Sequence, residues 1–176
     1  MTEITQITVN DEQVLTALRN LAAKGVNMQP LFRDIGETLM ESTKQRFETS
    51  TAPDGSRWAA NSAVTIAAQL ANHSKTRNKN GSLSAKGRLI VANKKPLVSS
   101  GVMADTIRYA ASGDGVSIGT NRFSSEITGG AAVLQFGTGR AGRGGAVTIP
   151  ARPFLGFSES DKTEVMAIIH HYLAVA

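Results

Sequence analysis

Residues 149–156 read Ile149-Pro150-Ala151-Arg152-Pro153-Phe154-Leu155-Gly156. Two prolines three residues apart hold the chain extended and remove two amide donors. Such a segment can edge a sheet but cannot run through its middle. Its apolar side chains Ile149, Phe154 and Leu155 need cover, in the core or on a neighbour. The chain changes character across it. Val147 to Ile149 is strand-like, whereas beyond a cap at Ser158 or Ser160 the residues Val165, Ile168, Ile169, Tyr172 and Leu173 form a helical stripe. The octapeptide is therefore expected to be a rigid connector from strand to helix.

Upstream of it the pattern is that of short strands. Ile107 to Ala111 and Val116 to Ile118 flank Gly113-Asp114-Gly115, which predicts a hairpin. Ala131 to Phe136 is a third candidate strand and Val147 to Ile149 a fourth, joined by a glycine-rich loop at 137–145. Further back the period becomes helical. Asn10 is an expected N-cap with Gln13 three residues on, and Val14, Leu15, Leu18, Leu21 and Ala22 follow before Gly25. The clearest helix has Pro30 in its first turn and Leu31, Ile35, Leu39 and Phe47 on one face, with Met28 and Phe32 beside it. Thr49 to Gly55 is turn chemistry, and Ser62 can cap a short helix holding Val64, Ile66, Ala67 and Leu70. Ile4 to Val9 is a plausible first strand. Helices, then strands, then a helix predict an α+β domain spanning 1–176, with the helices packed on a mainly antiparallel sheet and with long flexible loops.

The 176 residues hold 19 Lys and Arg, 14 Asp and Glu, and no Cys. Disulfides, thiolate metal sites and Cys nucleophiles are excluded. The net charge of +5 is unevenly placed. Between Asp54 and Asp105 lie Arg57, Lys75, Arg77, Lys79, Lys86, Arg88, Lys94 and Lys95 with no acidic residue, so the rest of the chain is net acidic. Within that stretch residues 72–95 are expected to be an exposed, flexible basic loop. The N-terminus has neither a basic n-region nor an apolar h-region, and no apolar run reaches a membrane-spanning length. A soluble product with no membrane contact is expected.

Catalytic and cofactor patterns fail on context. Gly137-x-Gly139-x-x-Gly142 matches the dinucleotide fingerprint as a string, but strand-like Val147-Thr148-Ile149 follows where a helix must begin. His170 and His171 are adjacent and point about 100° apart on a helix, and His73 sits in the polar stretch, so no metal is implied. Asp34, Glu37 and Glu41 fit the solvated face of a helix better than an acid–base pair. No Gly-x-Ser-x-Gly elbow occurs. No catalytic residue, metal or cofactor is expected. Lys75, Arg77, Lys79, Lys86 and Arg88 could meet phosphates, but no aromatic residue lies between Trp58 and Tyr109 to stack bases. An acidic protein partner is favoured for them, and a nucleic-acid-binding module is the alternative function.

Four segments, in order, resemble the phage virion morphogenesis family, the tail-completion proteins of Mu-like tailed phages. Asp54-Gly55-Ser56-Arg57-Trp58 is similar to a Gly-x-x-Trp turn of that family, and Leu97 to Ile107 to its Leu-x-x-Ser/Thr-Gly-x-Leu-x-x-Ser-Ile segment, with Met103 and Thr106 as substitutions. Val133-Leu134-Gln135-Phe136-Gly137 resembles its His-Gln-Phe-Gly strand end, with Leu134 where His is common, and Ile149 to Gly156 matches its Ile-Pro-Ala-Arg-Pro-Phe-Leu-Gly motif intact. The resemblance implies a structural virion protein, not an enzyme, made in the bacterial host cytoplasm and placed at the tail top or neck. It implies a ring, a hexamer by the tail's symmetry. The implied partners are other copies, tail tube or terminator proteins and head–tail connector proteins, with non-specific contact to DNA in the lumen. The expected interface residues are Phe136, Gly137, Arg140, Arg143, Ile149, Pro150, Arg152, Pro153, Phe154 and Leu155.

Overall fold

A computed structural model describes residues 11–23, 25, 27–98, 102–122, 130–142 and 144–175. The expected strand Ile4–Val9 and the expected cap Asn10 lie outside them. Helix α1 (Glu12–Ala23) is capped by Asp11, whose Oδ1 accepts from the amides of Gln13 and Val14 at 3.1 and 3.2 Å. Helix α2 (Met28–Thr49) starts from Asn27, whose side chain accepts the Gln29 amide, and ends at Ser50 in the left-handed region. Of the predicted stripe it buries Leu31, Ile35 and Phe47, with Met28 and Phe32 beside them, and leaves Leu39 half-buried.

Ser62 caps α3 (Ala63–Ala71) as the sequence predicts. The expected loop at 72–95 instead contains a second short helix, α4 (Ala85–Asn93), capped by Ser84. Its local signals were overridden by the density of Lys, Asn and Ser. Asn78, Asn80 and Ser82 close a tight turn in which Asn80 Oδ1 accepts from the amide and hydroxyl of Ser82 at 3.1 and 2.7 Å. Arg77 and Leu83 then form an isolated antiparallel bridge. Gly87 lets α4 lie on this turn, because a Cβ there would come 2.2 Å from the Thr76 carbonyl oxygen.

After the short helix α5 (Val102–Asp105) come β1 (Ile107–Ala111) and β2 (Val116–Thr120), paired antiparallel with Tyr109 opposite Ile118. The expected third strand is a helix, α6 (Gly130–Phe136). A short apolar run is compatible with either state. Here the helical period puts Ala131 and Gln135 on one buried face. The glycine-rich loop likewise holds a strand, β3 (Thr138–Ala141), which pairs antiparallel with β4 (Val147–Ile149) across a register irregularity. The described strands thus make two separate two-stranded sheets rather than one. Helix α7 (Glu159–Val175) closes the chain. The fold is α+β.

Two apolar cores organise these elements. The first joins α1, the N-terminal half of α2 and α7 through Leu21, Leu31, Phe32, Ile35, Val165 and Ile169. Gly36 lets the hairpin approach α2, since a Cβ there would meet the Tyr109 ring at 2.4 Å. The second core holds Phe47, Ala52, Trp58, Ile107, Ala131 and Phe154.

Candidate functional site

The second core is where the chain's distinctive segments meet. Phe154 is fully buried, its ring centroid 5.3 Å from that of Phe47, which in turn stands edge-on to Trp58 at 5.3 Å. Ile107 is also fully buried in this cluster, and Leu97 and Met103 pack against it. Apolar burial holds the residues together, but an extended di-proline segment cannot satisfy its backbone by itself. Side chains from three elements do so.

Gln135 on α6 is the central one. Its Oε1 accepts from the amides of Phe154 and Leu155, both at 3.0 Å, while its Nε2 donates to the Leu155 carbonyl at 2.8 Å. A primary amide thus mimics the edge of a neighbouring strand. Trp58 Nε1 donates to the Pro153 carbonyl at 2.7 Å. From α2, Arg46 Nη1 donates to the carbonyls of Phe154 and Gly156 at 2.9 and 3.1 Å. The segment reciprocates. The Arg152 amide caps α6 at the Leu134 carbonyl (2.8 Å), and the Arg152 guanidinium donates to the carbonyls of Ala59 and Ala60, each at 2.8 Å. Gly137 allows the closest approach. Its φ is +73°, and a Cβ there would lie 2.7 Å from the Ala151 nitrogen.

Arg46 also ties this clamp to α7. Its Nη2 pairs with Asp161 Oδ2 at 2.5 Å, with both side chains nearly inaccessible. Asp161 further accepts from Ser42 Oγ at 2.5 Å and from the Ser158 amide at 2.8 Å, while Ser158 Oγ accepts the Asp161 amide at 3.2 Å. Ser158 and Asp161 thereby form a reciprocal cap at the start of α7. Burial pushes the Arg46 guanidinium below its ordinary value, and the Asp161 carboxylate opposes that shift. Burial alone lowers Arg152.

The expected interface residues are therefore divided. Arg152 and Phe154 are buried within the subunit, and Ile149, Pro153, Leu155 and Gly137 are half-buried in or beside the clamp. Pro150, Arg140 and Phe136 are exposed; Phe136 is 59% accessible, and Val147, on the strand paired with β3, is 52% accessible. Arg143 lies outside the described residues. Gln135, Arg46 and Asp161 were missed. Gln135 carried a signal, since it stands inside one of the four distinctive segments. Arg46 and Asp161 stand outside those segments and carried no such signal.

The basic candidates lie on the α3–α4 lobe, and Lys75, Arg77, Lys79, Lys86 and Arg88 are all exposed. Several heads serve the lobe's own backbone. Arg77 donates to the Gly81 carbonyl, Lys86 to Ser74 and Arg88 to Leu83, at 2.8 to 3.0 Å. The helix acids Asp34, Glu37 and Glu41 face solvent, and Asp34 accepts from the Tyr172 hydroxyl at 2.8 Å. That bond raises the Tyr172 phenol above its ordinary value. Gly137 to Gly142 leads through β3 into the turn to β4, with no helix behind it. Among the described residues no group of three or more His, Asp or Glu comes together, and no helix is long and apolar enough to cross a membrane.

The class that the fold defines is an α+β domain whose distinctive segments lock into one internal clamp and leave a short exposed hairpin outside. Comparison with known proteins gives the class a family. The phage virion morphogenesis family matches residues 9–174, and the chain belongs to it. It is 28% identical over 168 residues to the Mu-like prophage FluMu G protein 2 of Haemophilus influenzae, covering 95% of this chain and 94% of that one. No solved structure matches. The protein has a structural role in virion morphogenesis and is virion-associated.

Proposed function

We propose that the protein completes the phage tail at its top, in the neck where tail meets head, and helps join the two as a ring of identical subunits. It acts through subunit and partner contacts, without catalysis. The family match over residues 9–174 carries this proposal, and the surface gives it a place to act. Phe136 and Val147 are large apolar side chains left more than half exposed around the β3–β4 hairpin, with Arg140 and Pro150 exposed beside them. The clamp fixes the backbone on both sides of this hairpin, so the patch is presented in one geometry. A ring needs a heterologous contact, one patch against a different patch on the next copy. The partners beyond the ring are tail tube or terminator proteins on one side and head–tail connector proteins on the other. The basic lobe faces an acidic neighbour.

Light scattering on the eluting full-length chain tests the ring. The native protein is expected at a closed multiple of the subunit mass, and Phe136→Asp with Val147→Asp at the subunit mass with an unchanged circular dichroism spectrum. A native chain that stays monomeric, both alone and in particles assembled from it, would overturn the ring. Changing Lys75, Arg77 and Lys79 together to Glu is expected to block assembly into particles. If assembly survives but binding to any duplex DNA is lost, the lobe is a nucleic-acid surface instead.

A further inference from the structure

The α3–α4 lobe has almost no core of its own. From Ala63 to Lys95 only Leu70, Thr76 and Gly87 are buried, while Val64 and Leu89 are 78% and 64% accessible. Its root is nevertheless fixed. The Arg152 guanidinium holds the Ala59 and Ala60 carbonyls on one side. On the other, Asn61 Nδ2 donates to the Lys94 carbonyl at 3.0 Å, and Lys95 Nζ to the Glu48 carbonyl at 2.8 Å. The lobe is thus held at its base and short of cover beyond it. What covers it is decided by charge. Lys75, Arg77, Lys79, Lys86 and Arg88 are all exposed there, and no acidic residue stands anywhere between Asp54 and Asp105.

The chain carries the complementary face on another element. Asp34, Glu37, Glu41 and Glu48 of α2 are exposed. Spacings of three, four and seven place them in one row, turned away from the stripe that enters the first core. At a rise of about 1.5 Å per residue the row runs for about 21 Å, with Lys44 half-buried beside it. No ion pair joins the lobe to the row within one subunit: among the described residues the pairs are Arg46 with Asp161 and Lys162 with Asp11. Two patches of opposite sign at different places on one subunit are the material of a heterologous contact. We propose that the α3–α4 lobe of one copy docks on the α2 acidic row of the next. This rests on the ring reading above and adds a second contact to that of the β3–β4 hairpin.

Charge reversal in the full-length protein tests it. Lys75 and Lys79 are the cations to change, because Arg77, Lys86 and Arg88 also hold carbonyls of the lobe itself. Lys75→Glu with Lys79→Glu, and separately Glu37→Lys with Glu41→Lys, are each expected to raise the concentration needed for assembly about tenfold or more, because like charges then face each other. All four changes in one chain are expected to bring it back to within about threefold of native. A tagged lobe variant is expected to retain the α2 variant about tenfold better than it retains itself, which places the contact between chains. Native assembly by both reversed chains would overturn this contact and leave the ring standing. Assembly lost in both, and repaired neither by the fourfold variant nor by mixing, would also overturn it, since the charges then meet another protein. Unchanged assembly with loss of duplex DNA binding in the lobe variant would make nucleic acid the occupant instead. A native chain that stays monomeric, alone and in particles, would overturn the ring and this contact with it.

Discussion

Replacing Gln135 by Leu should be among the most damaging changes available in the molecule. Leu is close to Gln in size and equally at home in a helix, so the substitution leaves packing and α6 propensity nearly untouched and removes only polar atoms. What it removes is three hydrogen bonds, two accepted from the Phe154 and Leu155 amides and one donated to the Leu155 carbonyl. No water reaches Phe154, which is fully buried, so its amide would lose its partner without a substitute. A buried backbone group left unsatisfied costs about 1–3 kcal/mol. With Phe154 bearing the full penalty and the half-buried Leu155 groups part of it, the expected loss is about 3–5 kcal/mol, against a domain stability of about 5–15 kcal/mol. Urea unfolding followed by Trp58 fluorescence reads this directly. With a slope near 2 kcal/mol per molar, the midpoint should fall by about 2 M with the slope unchanged. A midpoint within about 0.5 M of the native value would refute the clamp as the device that satisfies the di-proline segment.

Three further outcomes follow from the same geometry. Gly137→Ala forces a left-handed backbone on Ala and drives its Cβ against the Ala151 nitrogen, so a loss of at least about 2 kcal/mol is expected in the same urea assay. Gly36→Ala should also destabilise, although Ala gains about 1 kcal/mol in a helix interior, because its Cβ would enter the Tyr109 ring; a rise in melting temperature would show that the hairpin can move off α2. The Asp11 carboxyl is held below its ordinary value of 3.8, first by its hydrogen bond with Lys162. Its contribution to stability is therefore present above that value and is lost as pH falls through the lowered one. NMR titration should show Asp11 titrating below 3.8 and Lys162→Gln moving it back up.

Helices α1, α2, α3 and α7 were legible because their signals are local. The stripe Leu31, Ile35, Phe47 and the caps at Ser62 and Ser158 lie within a few residues of what they control. The β1–β2 hairpin was legible for the same reason, with its turn residues beside its strands. Residues 131–136 were not, because six residues are too few for a period of two or of 3.6 to declare itself. What makes α6 a helix is tertiary: Gln135 must face Phe154, and the Leu134 carbonyl must meet the Arg152 amide. The glycine-rich loop hid β3 in the same way, since its pairing partner β4 begins six residues beyond its end. The clamp was visible only as four separate strings. Nothing in the sequence says that Trp58, Ile107, Gln135 and Phe154 share one core.

That convergence bears on what the distinctive residues are for. Arg152 and Phe154 stand in the most distinctive string of the chain, and such residues invite assignment to an interface. Inside the subunit each is already occupied, the guanidinium by two carbonyls and the ring by Phe47 and the core around it. The Arg46–Asp161 pair extends the same logic. Removing one partner of a buried pair strands the other and costs about 3–5 kcal/mol, whereas replacing both by apolar residues of similar volume is often neutral. Arg46→Met alone should therefore unfold far more easily than the native chain. Adding Asp161→Leu should recover only part of the loss, because Arg46 also serves the carbonyls of Phe154 and Gly156, and Asp161 also serves Ser42 and the Ser158 amide. Full recovery in the double variant would mean that the charge pair alone mattered and that the backbone contacts of Arg46 are dispensable. Partial recovery would mean that the hydrogen bonds the two side chains make to their surroundings matter beyond the charge pair itself. In that case the most distinctive residues of the chain secure the base of the β3–β4 hairpin, and Phe136 and Val147 stand exposed at its surface.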